Sequence, residues 1–216
     1  MIKYSPDKVF NVDETGLSIV QSKVQYVIAL RDLKQVGALT SAERGSLVIA
    51  VLCMSAGGTF VPPYLIFPRK KHNVFLEKGA PPGSKIVCHP SGWIQTHIFT
   101  QWFLHFIEKV KPSQNDSVLL VLDGHCRNLE MINLERKNFV DIVRLPPRST
   151  HHMQPLDKTL MGPLKTHYSE MLRLFLRENQ RPITHYDIAE LFGKAYLKVQ
   201  MGQLPLMASE RPEYFL

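Results

Sequence analysis

The run Val118-Leu119-Leu120-Val121-Leu122 is apolar at every position and stops on a carboxylate, Asp123. A half-exposed strand would alternate apolar and polar residues. A run without alternation needs cover on both faces, which a strand inside a parallel sheet receives. Downstream, residues 128–138 predict a helix and Val140 to Leu145 a further strand, closed by Pro146-Pro147. Strand, helix and strand at that spacing make a parallel crossover unit, so the chain is directed to an α/β fold.

The segments before this unit add antiparallel strands. Val9-Phe10-Asn11-Val12-Asp13 predicts a short strand that ends on Asp13, with Gly16 supplying the turn. Another strand is expected over Gln25 to Leu30. Ser46 to Met54 and Thr59 to Phe67 flank Gly57-Gly58, as the two arms of an antiparallel hairpin would. From Pro68 to Ser84 the chain is rich in Gly, Pro and basic residues, and loop is expected. Between Thr96 and Val110 the apolar residues fall at helical spacing, with Thr96 as the expected N-cap and Pro112 as the stop. A long amphipathic helix is expected over Leu156 to Glu178, with Pro163 in the first turn of its regular part. A last helix, from Thr184 to Val199, carries Thr184 and Asp187 in a capping arrangement. The resulting expectation is one domain, residues 1–200, with a mixed central β-sheet flanked by helices, then a divergent or truncated tail at 201–216.

Composition narrows the function classes. The chain has 216 residues, 44% of them hydrophobic, enough to bury a sizeable core. No stretch approaches the roughly 18 consecutive apolar residues of a membrane span, and the start lacks a signal-peptide run, so an intracellular protein with no membrane partner is expected. Cys53, Cys88 and Cys126 are an odd, widely spaced set that makes no disulfide framework. The adjacent pairs Cys88-His89, His125-Cys126 and His151-His152 lack zinc-ligand spacing. A formal net charge of +7 favours partners that carry phosphate.

Asp13 and Asp123 each follow an apolar strand, and ligands of open α/β sheets collect beyond the strands' carboxyl ends. If these strands are neighbours, the two carboxylates converge and call for a cation. Mg²⁺ suits hard oxygen ligands, and a pair of such ions can activate a nucleophile and stabilise a leaving oxygen in phosphodiester displacement. Aspartates at strand ends also serve as plain turn or cap residues, and the residues alone leave that alternative open.

The motifs favour the first reading. Asn11-Val12-Asp13-Glu14-Thr15-Gly16 resembles the opening catalytic motif of the pogo, Tigger and jerky branch of DDE transposases. Leu119-Leu120-Val121-Leu122-Asp123-Gly124-His125 resembles the second. Leu145-Pro146-Pro147-Arg148-Ser149-Thr150-His151-His152-Met153-Gln154-Pro155-Leu156-Asp157 resembles the third, and the likeness continues through Gly162 to Tyr168. The second and third aspartates lie 34 positions apart, close to the family's spacing. The resemblance implies an RNase H-like fold and metal-dependent DNA cleavage and strand transfer. It also implies that Asp13, Asp123 and Asp157 are the catalytic residues and the ligands of Mg²⁺ or Mn²⁺, two ions in all. DNA as partner, a homodimer and a nuclear location follow from the same resemblance.

Other residues receive weaker assignments. Glu14 neighbours Asp13 and on an extended strand points the opposite way, as a structural residue. His125 can order a phosphate or simply close a turn, and neither His151 nor His152 is expected to be a ligand. Arg69, Lys70, Lys71, Arg148, Lys158 and Lys165 are candidates for phosphate contacts, each also consistent with a solvated basic face. Cys126-Arg127-Asn128 departs from the family's pattern after the second Asp, and Met201 to Met207 from its continuation. The family's N-terminal DNA-reading helices are absent from these residues, so autonomous transposition is not expected. Two functions remain in competition: a metal-dependent endonuclease, and a domesticated or remnant core that binds nucleic acid without turnover.

Overall fold

The computed structural model describes residues 4–19, 47–123, 129–146 and 153–202, with Leu129 and Glu130 as backbone only. The expected strand at Gln25 to Leu30 lies outside them, as do His125, Cys126, Arg148, His151, His152 and residues 203–216. Six strands form one sheet: β1 (Val9–Ser18), β2 (Leu47–Ser55), β3 (Phe60–Phe67), β4 (Lys85–Cys88), β5 (Val118–Leu122) and β6 (Val140–Arg144), in the order β4-β3-β2-β1-β5-β6. β2 runs antiparallel to both β1 and β3, whereas β4, β5 and β6 join in parallel. Among the described residues the α-helices are α1 (Thr96–Val110), α2 (Leu129–Lys137), α3 (Pro155–Thr159), α4 (Met161–Asn179) and α5 (His185–Gly202). A mixed sheet with three antiparallel strands, continued by a parallel crossover and flanked by helices, is the RNase H-like arrangement the motifs implied.

The period-two alternation of the strands sorts side chains into two cores. Phe10 and Val12 of β1, with Ile49, Val51 and Cys53 of β2, join the cluster around Trp102, Phe103 and Phe106 of α1. Leu17 of β1 and Val48, Ala50, Leu52 and Met54 of β2 join a second cluster with Leu156 of α3, Leu164 of α4 and Phe192 of α5. The sheet is covered on both faces around β1 and β2; β5, expected to be buried on both, buries Val118, Leu120 and Leu122 against α1 and leaves Leu119 and Val121 half-buried on the other face.

Several expectations are corrected. β1 does not stop after Asp13; it pairs with β2 as far as Ser18, opposite Leu47. Gly16 is a strand residue rather than a turn residue, because a Cβ there would lie 2.8 Å from the Leu47 side chain that crosses it. β4 was not legible, being a four-residue edge strand with no fully buried position. The N-cap of α1 is Gln95, and Thr96 is the first helical residue. The single helix expected from Leu156 is two, jointed at Leu160. Pro163 explains the joint: it has no N–H to donate to the Thr159 carbonyl one turn back. The hairpin around Gly58 (φ 89°), the crossover from β5 to β6, and the Thr184–Asp187 cap all stand.

Candidate active site

Asp13 sits inside β1, paired with Leu52 of β2, and two residues past the end of the β1–β5 pairing. The parallel pairing of β1 and β5 places Asn11 beside Val121. The pairing ends there; Asp13 and Asp123, the first residue past β5, each lie two residues beyond it, and the Asp123 charge reaches the Asp13 carboxyl. Both share strand parity with the residues that face α3, α4 and α5. Glu14 is exposed, one residue along from half-buried Asp13 and therefore on the other face of the strand, as the alternation requires.

Asp157, on α3, lies close enough for its charge to raise the Asp13 carboxyl. Pro155, with its fixed φ, is pre-shaped for the first position of that helix, and Asp157 lies in the first turn, where the helix dipole favours a negative charge. Leu156 is fully buried in the second core and anchors the turn, while Asp157 is exposed.

Beneath the carboxylates lies a small network of amides that the sequence reading left without a role. Asn11 is fully buried. Its Nδ2 donates to the Val121 carbonyl at 3.0 Å and to Gln154 Oε1 at 3.2 Å, and its Oδ1 accepts from the Leu156 N–H at 3.1 Å. Gln154, also fully buried, donates from Nε2 to the Val12 carbonyl at 3.2 Å. One carboxamide therefore binds β1, β5 and the start of α3 together. The signal was available: a polar residue on an apolar strand, two positions before an acid and on the same face.

The electrostatics record how crowded the carboxylates are. Burial pushes the Asp13 carboxyl up from an ordinary 3.8 to about 6, and the Asp157 and Asp123 charges add to the rise against hydrogen bonding from the Glu14 backbone and the Gln154 side chain. Oxygen-only donors held close enough to repel one another suit a hard divalent cation, which relieves the repulsion. Among the described residues, no group of three His, Cys, Asp or Glu is gathered tightly enough to hold a metal ion as it stands.

The basic candidates divide by location. Lys158 is exposed on α3 directly after Asp157, and Lys165 is exposed on α4. Arg69, Lys70 and Lys71 follow the carboxyl end of β3, separated from β1 by β2. Lys70 and Lys71 are exposed, whereas the Arg69 guanidinium lies over the Tyr186 ring, 5.1 Å from its centroid. Arg148 lies outside the described residues. Of the described cysteines, Cys53 is buried, Cys88 is half-buried, and both are free thiols.

Comparison with known proteins gives the family. The sequence model of the DDE superfamily endonucleases matches residues 45–202. A protein of Cochliobolus lunatus called MFS-type transporter clz9 is 26% identical over 203 residues, covering 90% of this chain and 22% of that protein. No helix among the described residues is long and apolar enough to cross a membrane. Similar solved structures include the Mos1 transposase paired-end complex with left transposon end, at 13% identity and a TM-score of 0.48, covering 99% of this chain and 56% of that one. The Mos1 mariner paired end complex with Mn is 15% identical with a TM-score of 0.48, covering 99% of this chain and 57% of that one. The chain thus spans only part of each relative's length. With the family model matching well over half of its residues, this chain belongs to the DDE superfamily endonucleases.

Proposed function

We propose that this chain is the catalytic core of a DNA strand-cleaving and strand-transferring enzyme in which Asp13, Asp123 and Asp157 hold Mg²⁺ or Mn²⁺. The observation that carries the reading is the crowding of Asp13 by burial and by the Asp157 and Asp123 carboxylates, which lifts it to about 6. A fold that kept these residues only for structure would gain by neutralising one of them. Bound divalent ions would supply charge neutralisation and a more acidic water or hydroxyl for attack on phosphorus. The chain's own contribution is positional: β1 and β5 carry two of the carboxylates, and α3 the third. Lys158 and Lys165 offer exposed charge for the DNA backbone on the same side of the sheet.

The direct test is nicking of supercoiled plasmid in Mg²⁺ or Mn²⁺ by the chain and by Asp123→Ala. Loss of nicking in the variant, by about a hundredfold or more given the size of electrostatic contributions to such steps, is expected. Equal activity in both, or none in either, contradicts it.

A second reading, a core that binds DNA without turnover, is favoured by the exposure of Asp157 and by the absence of a closed three-ligand cluster among the described residues. It predicts DNA affinity that falls steeply with salt and is indifferent to Asp123→Ala. Salt-independent binding, or no binding at low salt, rules it out.

A further inference from the structure

We infer that the buried pair Asn11 and Gln154 positions the three aspartates for a divalent ion, acting as a latch between the strands and α3. The inference rests on the metal reading above and goes beyond it in assigning a role to two uncharged residues. Two of the network's four bonds end on residues adjoining an acid, and a third ends two residues before one. Asn11 is two residues before Asp13 on the same face of β1, and the Val121 carbonyl that it holds is two residues before Asp123. The Leu156 N–H that Asn11 accepts belongs to the residue adjoining Asp157. Gln154 returns from the start of α3 to the Val12 carbonyl, next to Asp13.

Two features make the arrangement a positioning device rather than a general packing contact. α3 is only five residues long, too short to hold its own orientation by helix propensity. Its apolar ties to the core, such as Leu156 and the adjoining Leu160, are non-directional. The carboxamide pair adds a directional constraint at the start of α3, next to Asp157. A network of this kind is sensitive to truncation: removing the Asn11 side chain leaves the Val121 carbonyl, the Leu156 N–H and Gln154 Oε1 without these partners in a site closed to water.

The test is Mn²⁺ binding to the full chain, read from the electron paramagnetic resonance signal of free Mn²⁺. Asn11→Ala and Gln154→Ala are compared with Asp13→Asn and Asp157→Asn, and with Leu164→Ala, an apolar core change on α4. Asn11→Ala is expected to weaken Mn²⁺ binding by about 10- to 100-fold, the range for residues that orient metal ligands. Gln154→Ala is expected to weaken it less, and the double variant no more than Asn11→Ala alone. Leu164→Ala is expected to lower thermal stability and leave Mn²⁺ affinity unchanged. If Asn11→Ala fails to fold, the weakened binding of Gln154→Ala, with its fewer bonds, carries the result. Natural affinity in both amide variants, with loss in the aspartate variants, overturns the positioning role while sparing the metal site. Natural affinity in the aspartate variants too overturns the metal reading and this inference with it.

Discussion

On one side of β1, Phe10 and Val12 meet an aromatic layer on α1; on the other, one residue along, Asn11 and Asp13 meet the start of α3. The first side is dry. Phe10 stands edge-on to Phe106, their centroids 5.3 Å apart, and Trp102 packs between Phe99 and Phe106. The second side places a hydrogen-bonded amide pair and a crowded carboxylate at the same depth of the same strand. Apolar burial on one face is close to independent of pH and ions. On the other, burial and the neighbouring carboxylates work against the charged form of Asp13. Both faces are held by apolar cores, and the α3 side carries the amide pair and the half-buried carboxylate in addition.

The contrast breaks first if the dry side is not an anchor. Trp102→Ala removes a fully buried indole, and an unfolding free energy lower by about 3–5 kcal/mol is expected by denaturant titration. A loss under about 1 kcal/mol would mean that the aromatic layer does not hold the sheet.

The next effect has the opposite sign. Folding raises the Asp13 carboxyl from 3.8 to about 6, so the native state binds this proton more tightly than the unfolded chain does. Stability is therefore lost as pH rises from about 4 through about 6, and the penalty is absent below about pH 4. Asp13→Asn is expected to stabilise the chain at pH 8 in chelator by up to roughly 3 kcal/mol, and to be near neutral at pH 4. Thermal melts at the two pH values check this, and a destabilised variant at pH 8 contradicts it.

A smaller effect sharpens the comparison by lying away from both sides. Asp187 accepts from the Thr184 N–H and hydroxyl and pairs with Arg181 at 2.6 Å, capping α5. Its carboxyl is held below the ordinary range by these partners despite the opposing effect of burial. Asp187→Ala is expected to cost about 1 kcal/mol, with no change in Mn²⁺ affinity. A change in metal binding would show that α5 couples to the site.

Legibility in the sequence followed the same division. The α1 stripe and the apolar run of β5 were read to within a residue because hydrophobic period is a local signal. The motifs single out the three aspartates, but that the Asp157 and Asp123 charges reach Asp13 depends on the strand order and the seat of α3, which no local pattern carries. β4 escaped because a four-residue edge strand buries too little to leave a pattern. The extension of β1 to Ser18 escaped because Gly16 reads as a turn until Leu47 is known to lie across it. Asn11 and Gln154 lay in plain view inside two motifs, yet an uncharged amide reveals its role only when its partners, 143 positions apart in the chain, are seen together.

The central claim is that the three carboxylates form a divalent-ion site. The measurement that tests it most directly is thermal unfolding at pH 7.5 across a Mn²⁺ titration, for the natural chain and for Asp13→Asn. Ion binding to the folded state at a hundredfold excess over Kd is worth about 2.7 kcal/mol, so the natural chain's Tm is expected to climb by roughly 5–10 °C and follow the ion concentration. The variant should start from a higher Tm and stay there. The same climb in both proteins, or a flat response from the natural chain at millimolar Mn²⁺, would contradict the account.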